Sequence, residues 1–182
     1  MLESGEETSV GGQKTNTATG SQALRFGDDI SDKQYKGILS FDLSNLSHTA
    51  KVRAATIQLT RENTSIVGSP SNLGTITVDL KQGSFSGNAA LEIQDFQAAA
   101  TASNAGTFTD GKAALGALNA TGLQALSDAH QAASKKLQVR LQYSTGDNDN
   151  DNAKADFTGY YSGSTSTVSR RPKLVIEYTL AD

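Results

Sequence analysis

The stretch Leu137-Gln138-Val139-Arg140-Leu141-Gln142-Tyr143 alternates apolar and polar side chains without interruption. Successive side chains of a β-strand point to opposite faces of its sheet, so this alternation predicts a strand with one buried face. The pattern recurs at residues 36–43, 55–60, 76–80 and 174–180, and weaker candidates lie at 8–10, 23–27 and 90–93. Eight such strands with polar, glycine-rich connections predict an all-β fold, an antiparallel β-sandwich of the jelly-roll type.

The chain around residues 94–134 is different, because it is rich in alanine and its apolar spacing changes from two toward three and four. This spacing predicts a short helical insertion, with one helix over 95–102 and a second capped by Thr121 that places Leu126 and His130 on one side. A separate helical subdomain is the alternative, but helices this short cannot close a core alone. We therefore expect residues 1–182 to form a single β-sandwich module.

Composition excludes several functions. The 16 lysines and arginines are balanced by 19 acidic residues, so the chain lacks the basic surface that nucleic-acid binding requires. Cysteine is absent, which excludes disulfides, thiolate catalysis and cysteine-ligated zinc. No apolar stretch approaches the roughly 20 residues that span a bilayer, so we expect no membrane insertion. Little lysine and much Ser, Thr, Asn and Gly favour a secreted, extracellular protein, and we expect that any export signal has been removed or replaced.

Residues 146–152, Gly-Asp-Asn-Asp-Asn-Asp-Asn, suggest a cation site. Ca²⁺ takes about 6 to 8 oxygen ligands in irregular loops, and this run supplies carboxylate and amide oxygens. It is not an EF-hand, because Asn152 replaces the glycine and Thr158 the bidentate glutamate of that pattern. A solvated turn is the alternative interpretation, since Asn and Asp are also typical turn residues.

A second acidic cluster at residues 28–32 is expected to meet the segment 147–156, since only a cation neutralises carboxylates gathered at short range. The predicted ligands of a structural Ca²⁺ are Asp28, Asp147, Asp149, Asp151 and Asp156. Two separate hydrated loops are the alternative.

Catalysis is not expected. The two histidines, His48 and His130, lack a third partner at metal-binding spacing and are expected on the surface. No Gly-x-Ser-x-Gly elbow or phosphate-binding loop is present.

Two blocks of sequence resemble DNRLRE-type extracellular domains of bacteria. Residues 24–28 (LRFGD), 35–46 (YKGILSFDLSNL) and 54–59 (AATIQL) are similar to the start of that family. Residues 156–157 (DF), 161–163 (YSG) and 171–178 (RPKLVIEY) are similar to its closing pattern. The resemblance implies a jelly-roll sandwich appended to secreted enzymes or surface proteins. Its relatives include carbohydrate-binding modules for acidic polysaccharides such as alginate.

A sugar-binding surface needs aromatic rings for the apolar face of the sugar and planar polar groups for its hydroxyls. By strand pattern Tyr143, Tyr161 and Tyr178 fit the core, which leaves Tyr35 and Tyr160 as candidate platforms. The alternative is that every tyrosine serves in packing. Tryptophan is absent, which disfavours a flat crystalline ligand such as cellulose.

Recognition of an acidic polysaccharide calls for cationic side chains that bind carboxylates. The outward positions of the predicted strands offer a stripe of such residues along one sheet face, and an ordinary solvated face is the alternative. The stripe consists of Lys36, Gln58, Arg61, Arg140 and Gln142.

The sequence thus favours a noncatalytic carbohydrate-binding module that tethers a larger secreted or surface protein of bacteria to a polysaccharide. The alternative is a structural or adhesive spacer domain of a cell-surface or biofilm matrix protein. A third reading is a lyase-like sandwich, which needs a histidine or tyrosine base beside an arginine in one groove.

Overall fold

The alternating stretches become the long strands of two antiparallel sheets. The computed structural model describes residues 1–15, 17–146 and 153–181. In chain order the strands are β1 (Leu2–Glu3), β2 (Gly11–Gln13), β3 (Leu24–Asp28), β4 (Gln34–Tyr35), β5 (Gly37–Asp42), β6 (Ala50–Thr60), β7 (Ile66–Val67), β8 (Ile76–Gln82), β9 (Gly106–Thr109), β10 (Ala113–Leu118), β11 (Lys136–Tyr143), β12 (Phe157–Tyr160) and β13 (Lys173–Leu180). The described part of the chain contains one α-helix, α1 (Ala120–Gln131). Short 3₁₀ turns lie at Asn63–Ser65, Pro70–Leu73, Ile93–Phe96 and Val168–Arg170.

The strands form a six-stranded sheet, sheet A, in the order β2-β1-β4-β3-β12-β7 and a seven-stranded sheet, sheet B, in the order β13-β6-β10-β9-β8-β11-β5. One of the two sheets curls into a half-barrel. The prediction of an all-β sandwich with a short helical insertion is confirmed. None of the described helices is long and apolar enough to cross a bilayer.

The core lies between the two sheets and is built from alternate residues of each long strand. Ile57 of β6, Leu80 of β8 and Leu141 of β11 are each completely buried. Sheet A contributes Phe26 and Tyr160 to the same core, and the centroids of these two rings lie 5.4 Å apart. The alternation in the sequence arises because one face of each strand is buried against this core.

The helical insertion is shorter than predicted. The N-cap of helix α1 is Asn119, two residues before the expected cap at Thr121, because the Oδ1 atom of Asn119 accepts a hydrogen bond from the backbone N–H of Gly122 at 3.0 Å. Its buried face, which includes Leu126 and His130, packs mainly on β6 and β8. The prediction that His130 lies on the surface is wrong, since its Nε2 atom lies 2.9 Å from the carbonyl of Ser47.

The helix predicted over 95–102 is replaced by the 3₁₀ turn Ile93–Phe96. The Asp95 carboxylate accepts hydrogen bonds from the backbone of Ser86 and Glu92, and Ala102 pairs with Leu80 instead of continuing a helix. The alanine-rich region also supplies β9 and β10 to sheet B. In β10 exposed and buried residues alternate, but its small side chains conceal the period of two in the sequence.

Two weak strand candidates are also wrong. Residues 8–10 form the connection between β1 and β2, where Ser9 has a φ of 53°, outside the β region. Residues 90–93 precede and enter the 3₁₀ turn. The third candidate, 23–27, corresponds to β3.

Leu126 provides a test of the contact between α1 and sheet B. Because its side chain is fully buried, Leu126→Ala is expected to lower the free energy of unfolding by about 2–5 kcal/mol in a urea titration. Leu115→Ala is the control, since Leu115 is 50% exposed and its truncation should change that free energy by less than about 0.5 kcal/mol. Equal effects of the two substitutions would contradict the packing of α1.

Candidate functional site

Two predicted ligand residues, Lys36 and Gln142, line the same cleft. Lys36 is the residue between β4 of sheet A and β5 of sheet B, and Gln142 lies near the end of β11. The cleft has a volume of about 220 Å³. We call it the polar cleft, and its lining residues are Glu3, Glu7, Ser9, Gln34, Lys36, Gln142, Tyr143, Ser144, Thr145 and Gly146.

Glu3 fixes one wall of the polar cleft. Its side chain is buried, with 3% of the residue exposed. The Oε2 atom accepts a hydrogen bond from the backbone N–H of Gln34 at 3.1 Å, and Oε1 accepts one from the backbone N–H of Ser9. The carboxylate therefore holds the β1–β2 connection against β4, and it places a negative charge near Lys36.

Lys36 is a cation with an unusual environment. Its Nζ atom lies 4.0 Å from the ring centroid of Phe96 and donates to the Phe96 carbonyl at 3.4 Å. The pKa of Lys36 is lowered to about 8, mainly by burial and also by the charge of Arg140, while the nearby Glu3 and Asp79 oppose that change. Lys36 is still mainly protonated at pH 7, but its ammonium group has lost much of its hydration. An anionic ligand would compensate that loss.

Gln142 presents an unused acceptor. Its Oε1 atom is buried and has no hydrogen-bond partner among the described residues. A buried polar atom without a partner costs about 1–3 kcal/mol. A hydroxyl that donates to Oε1 would remove this cost, but the atom is closed to solvent, so the Gln142 side chain would have to turn toward the cleft to receive it.

Arg140 is not the outward-facing ligand residue that the alternation predicts. Only 7% of it is exposed, and its Nη2 atom lies 2.8 Å from Oδ2 of Asp79. The guanidinium group also donates to the carbonyls of Asp95, Phe96 and Ala98 and lies 4.6 Å from the ring centroid of Phe85. The segment from Phe85 to Ala98 thus covers the outer face of β11, and no strand pattern reveals such a cover.

Tyr160 is not a platform for a sugar, because it is completely buried. Its hydroxyl donates to Oδ1 of Asp110, and Arg61 binds the same carboxylate with Nε 3.1 Å from Oδ1. Burial and the hydrogen bond to Asp110 raise the pKa of Tyr160, so the tyrosine stays protonated and is unsuited to act as a base. Two of the predicted ligand residues, Tyr160 and Arg61, therefore come together, but both bind the Asp110 carboxylate and do not form a sugar site.

Asp110 lies on the wall of a second, larger cleft of about 520 Å³, which we call the apolar cleft. Ile76, Phe108 and Tyr143 contribute apolar surface to it, and Tyr143 also lines the polar cleft. Tyr143, at the end of β11, thus borders both clefts. Asp110 was not among the predicted residues, and its position in a Thr-Asp-Gly turn gave no signal beyond that of a surface loop.

Gln58 and Tyr35 lie away from the polar cleft. Gln58 is half-buried in β6, which three strands of sheet B separate from β11. Tyr35 is half-buried, and its hydroxyl lies 3.2 Å from Nη1 of Arg25, whose guanidinium stacks on the Tyr35 ring. It lines a separate cleft of about 220 Å³. Tyr178, predicted for the core, is 47% exposed. Because Gln58, Arg61 and Arg140 do not line the polar cleft with Lys36 and Gln142, the single stripe predicted from the sequence does not form.

The predicted cation ligands are only partly described. Asp28 is completely buried, and its Oδ1 atom accepts a hydrogen bond from the backbone N–H of Asp156 at 2.7 Å, so the two acidic segments meet as expected. The Asp156 carboxylate accepts a hydrogen bond from the backbone N–H of Ser69. Asp147, Asp149 and Asp151 lie outside the described residues. Within the described ranges no three acidic or histidine side chains are placed to hold a metal.

No family model matches this chain, and a search of curated proteins gives no significant match.

The buried ion pair between Arg140 and Asp79 can be tested by unfolding. Arg140→Met should lower the free energy of unfolding by about 3–5 kcal/mol, because it leaves the Asp79 carboxylate buried without a counter-charge. Arg53→Met, at an exposed arginine of β6, should change it by less than about 0.5 kcal/mol.

A double variant separates lost charge balance from lost packing. Arg140→Met combined with Asp79→Leu removes both charges and should recover part of the lost stability. If Arg140→Met lowers the free energy of unfolding no more than Arg53→Met does, the Arg140 guanidinium group does not hold the segment from Phe85 to Ala98 in place.

Proposed function

We propose that this protein is a noncatalytic polysaccharide-binding module of a secreted protein and that the polar cleft is its sugar contact. The observation that carries this proposal is the convergence of Lys36 and Gln142, which are far apart in the sequence, in one cleft. Lys36 offers a partly desolvated ammonium group, and Gln142 offers an unused buried acceptor.

The polar lining of the cleft matches a sugar unit, and Lys36 is the group in it that would bind a carboxylate, although Glu3 and Glu7 in the same lining are acidic. The ammonium group of Lys36 would bind the carboxylate, and Oε1 of Gln142 would accept a hydrogen bond from a hydroxyl. Drug-sized ligands fill pockets of about 300–1,000 Å³. The polar cleft is smaller, at about 220 Å³, and therefore suits a single sugar unit within a longer chain.

Tethering is the mechanism that follows from so small a contact. One sugar unit gives weak binding, but repeated contacts along a polymer raise the local concentration of whatever is attached to the module. The resemblance to DNRLRE-type domains supports this role, because it implies a module appended to a larger secreted or surface protein.

The alternative, a structural or adhesive spacer, is favoured by one observation. The edge strand β13 exposes large apolar side chains, including Tyr178 and Leu180, which are 47% and 61% exposed. Exposed apolar surface of this kind marks contacts with other proteins.

Affinity electrophoresis through gels that contain alginate, pectin or a neutral glucan tests the sugar contact. We expect the protein to be retarded by at least one uronate polymer and by the neutral polymer much less. Lys36→Met or Gln142→Ala should weaken retardation roughly tenfold, since each removes one partly buried polar contact. Gln58→Ala is the matched control and should leave retardation unchanged, because Gln58 lies outside the polar cleft.

The pH dependence adds a second readout. The pKa of Lys36 is about 8, so the ammonium group is present below that pH and is lost as pH rises through it. Uronate binding should therefore decline above about pH 8 in the wild type, and this decline should disappear in Lys36→Met. Passage of the wild type through every gel without retardation would favour the spacer function.

We also propose that a structural Ca²⁺ is bound by the acidic segment 147–156 together with Asp28. Removal of a ligand present at 100 times its Kd lowers stability by about 2.7 kcal/mol, which corresponds to a fall in Tm of roughly 5–11 °C. A chelator should produce such a fall, and Ca²⁺ should reverse it. A variant with Asp147, Asp149 and Asp151 all replaced by Asn should melt at the same temperature with and without chelator. An unchanged wild-type melt would exclude the cation.

A further inference from the structure

Strand β13 is an open edge of sheet B. Within the described residues it pairs only with β6, so its other side presents backbone N–H and C=O groups without a strand partner. The strand is eight residues long, which exceeds the usual length of protected edge strands. Val175, Tyr178 and Leu180 on this strand are 41%, 47% and 61% exposed.

The outer face of β13 carries a symmetric set of side chains. Lys173, Val175 and Glu177 occupy alternate positions and therefore point to the same side, and all three are exposed. Neither Lys173 nor Glu177 forms an ion pair or a side-chain hydrogen bond within the described part of the chain. Along the strand, this face thus carries a positive, an apolar and a negative side chain, and both charges can pair with a partner chain.

We propose that the β13 edge pairs with the β13 edge of a second copy of this chain, antiparallel and with Val175 opposite Val175. This register follows from the charges. It places Lys173 of each copy opposite Glu177 of the other, which gives two opposite-charge cross-strand pairs on either side of a valine pair. On the inner face it places Leu174 opposite Ile176.

Neighbouring registers give less favourable cross-strand pairs than the register centred on Val175. A shift that centres the two-fold axis on Leu174 or Ile176 places Val175 opposite a charged residue. A shift of two residues places Lys173 opposite Lys173 or Glu177 opposite Glu177, and like charges directly opposite each other are destabilising. Self-complementarity about one axis is the requirement for a closed, two-fold dimer. The dimer would join two copies of sheet B edge to edge.

Sedimentation of the purified protein over a concentration series tests the proposal. The wild type should show a monomer–dimer equilibrium that weakens as salt is raised, because the charge pairs are solvent-exposed. Lys173→Glu should weaken dimerisation at least roughly tenfold, since it creates two Glu–Glu pairs, and Glu177→Lys should do the same through two Lys–Lys pairs.

The decisive variant is the charge swap Lys173→Glu with Glu177→Lys. It restores opposite charges in the proposed register, so its dimerisation should return to near the wild-type strength. Each variant must retain the wild-type melting temperature of the monomer, which the exposure of both side chains leads us to expect.

Two results would overturn the proposal. One is a wild type that remains monomeric at all concentrations, which would leave the β13 edge to a strand of a different protein. The other is a dimer that is indifferent to the single charge changes, or that the double swap does not rescue, because its interface would then lie elsewhere. Neither result bears on glycan binding, since no residue of β13 lines the polar cleft.

Discussion

The buried ion pair between Arg140 and Asp79 organises the part of the molecule in which the candidate site lies. A charged group on the outer face of a sheet normally faces solvent, but here the guanidinium group also binds three carbonyls of the segment that covers β8 and β11. This segment brings the Phe96 ring to the Nζ atom of Lys36. Burial is the main cause of the lowered pKa of Lys36; the charge of Arg140 lowers it as well, and the charge of Asp79 opposes that change. The chemistry of the polar cleft is thus a consequence of how the outer face is covered.

The fold could be predicted wherever one face of a strand is buried and the other is exposed to solvent. Residues such as Ile57 and Leu141 are hydrophobic because they face the core, and their polar neighbours make the alternation visible. The prediction failed in β10, where the Phe108 ring leaves no room for a side chain at Gly116 and where the buried residue Ala114 is small. Alanine on a packed strand looks the same in a sequence as alanine on a helix, so only the pairing of β10 with β6 and β9 distinguishes them.

The candidate site could be predicted only in part, because the burial of a polar residue depends on tertiary contacts. Lys36 and Gln142 have the side chains that sugar recognition requires, and their chemistry is a property of residue type. Whether a polar residue of a strand faces solvent depends on what lies over it, as Arg140 and Tyr160 show. Glu3 was missed because the strand β1 is two residues long and carries no pattern. Its role arises from contacts with Ser9 and Gln34, which only the tertiary structure provides.

The dimer and the polar cleft complement each other. The residues of the cleft come from β1, the β4–β5 junction and the end of β11, so pairing through β13 leaves the clefts of both copies formed. A contact with a single sugar unit would be weak, but two clefts held together in the proposed dimer would bind one polymer with a higher effective concentration than two free modules. The same edge-to-edge pairing also serves a spacer in a matrix, since it links two chains without the cleft. Whether the cleft binds sugar therefore distinguishes the two functions, and dimerisation is compatible with both.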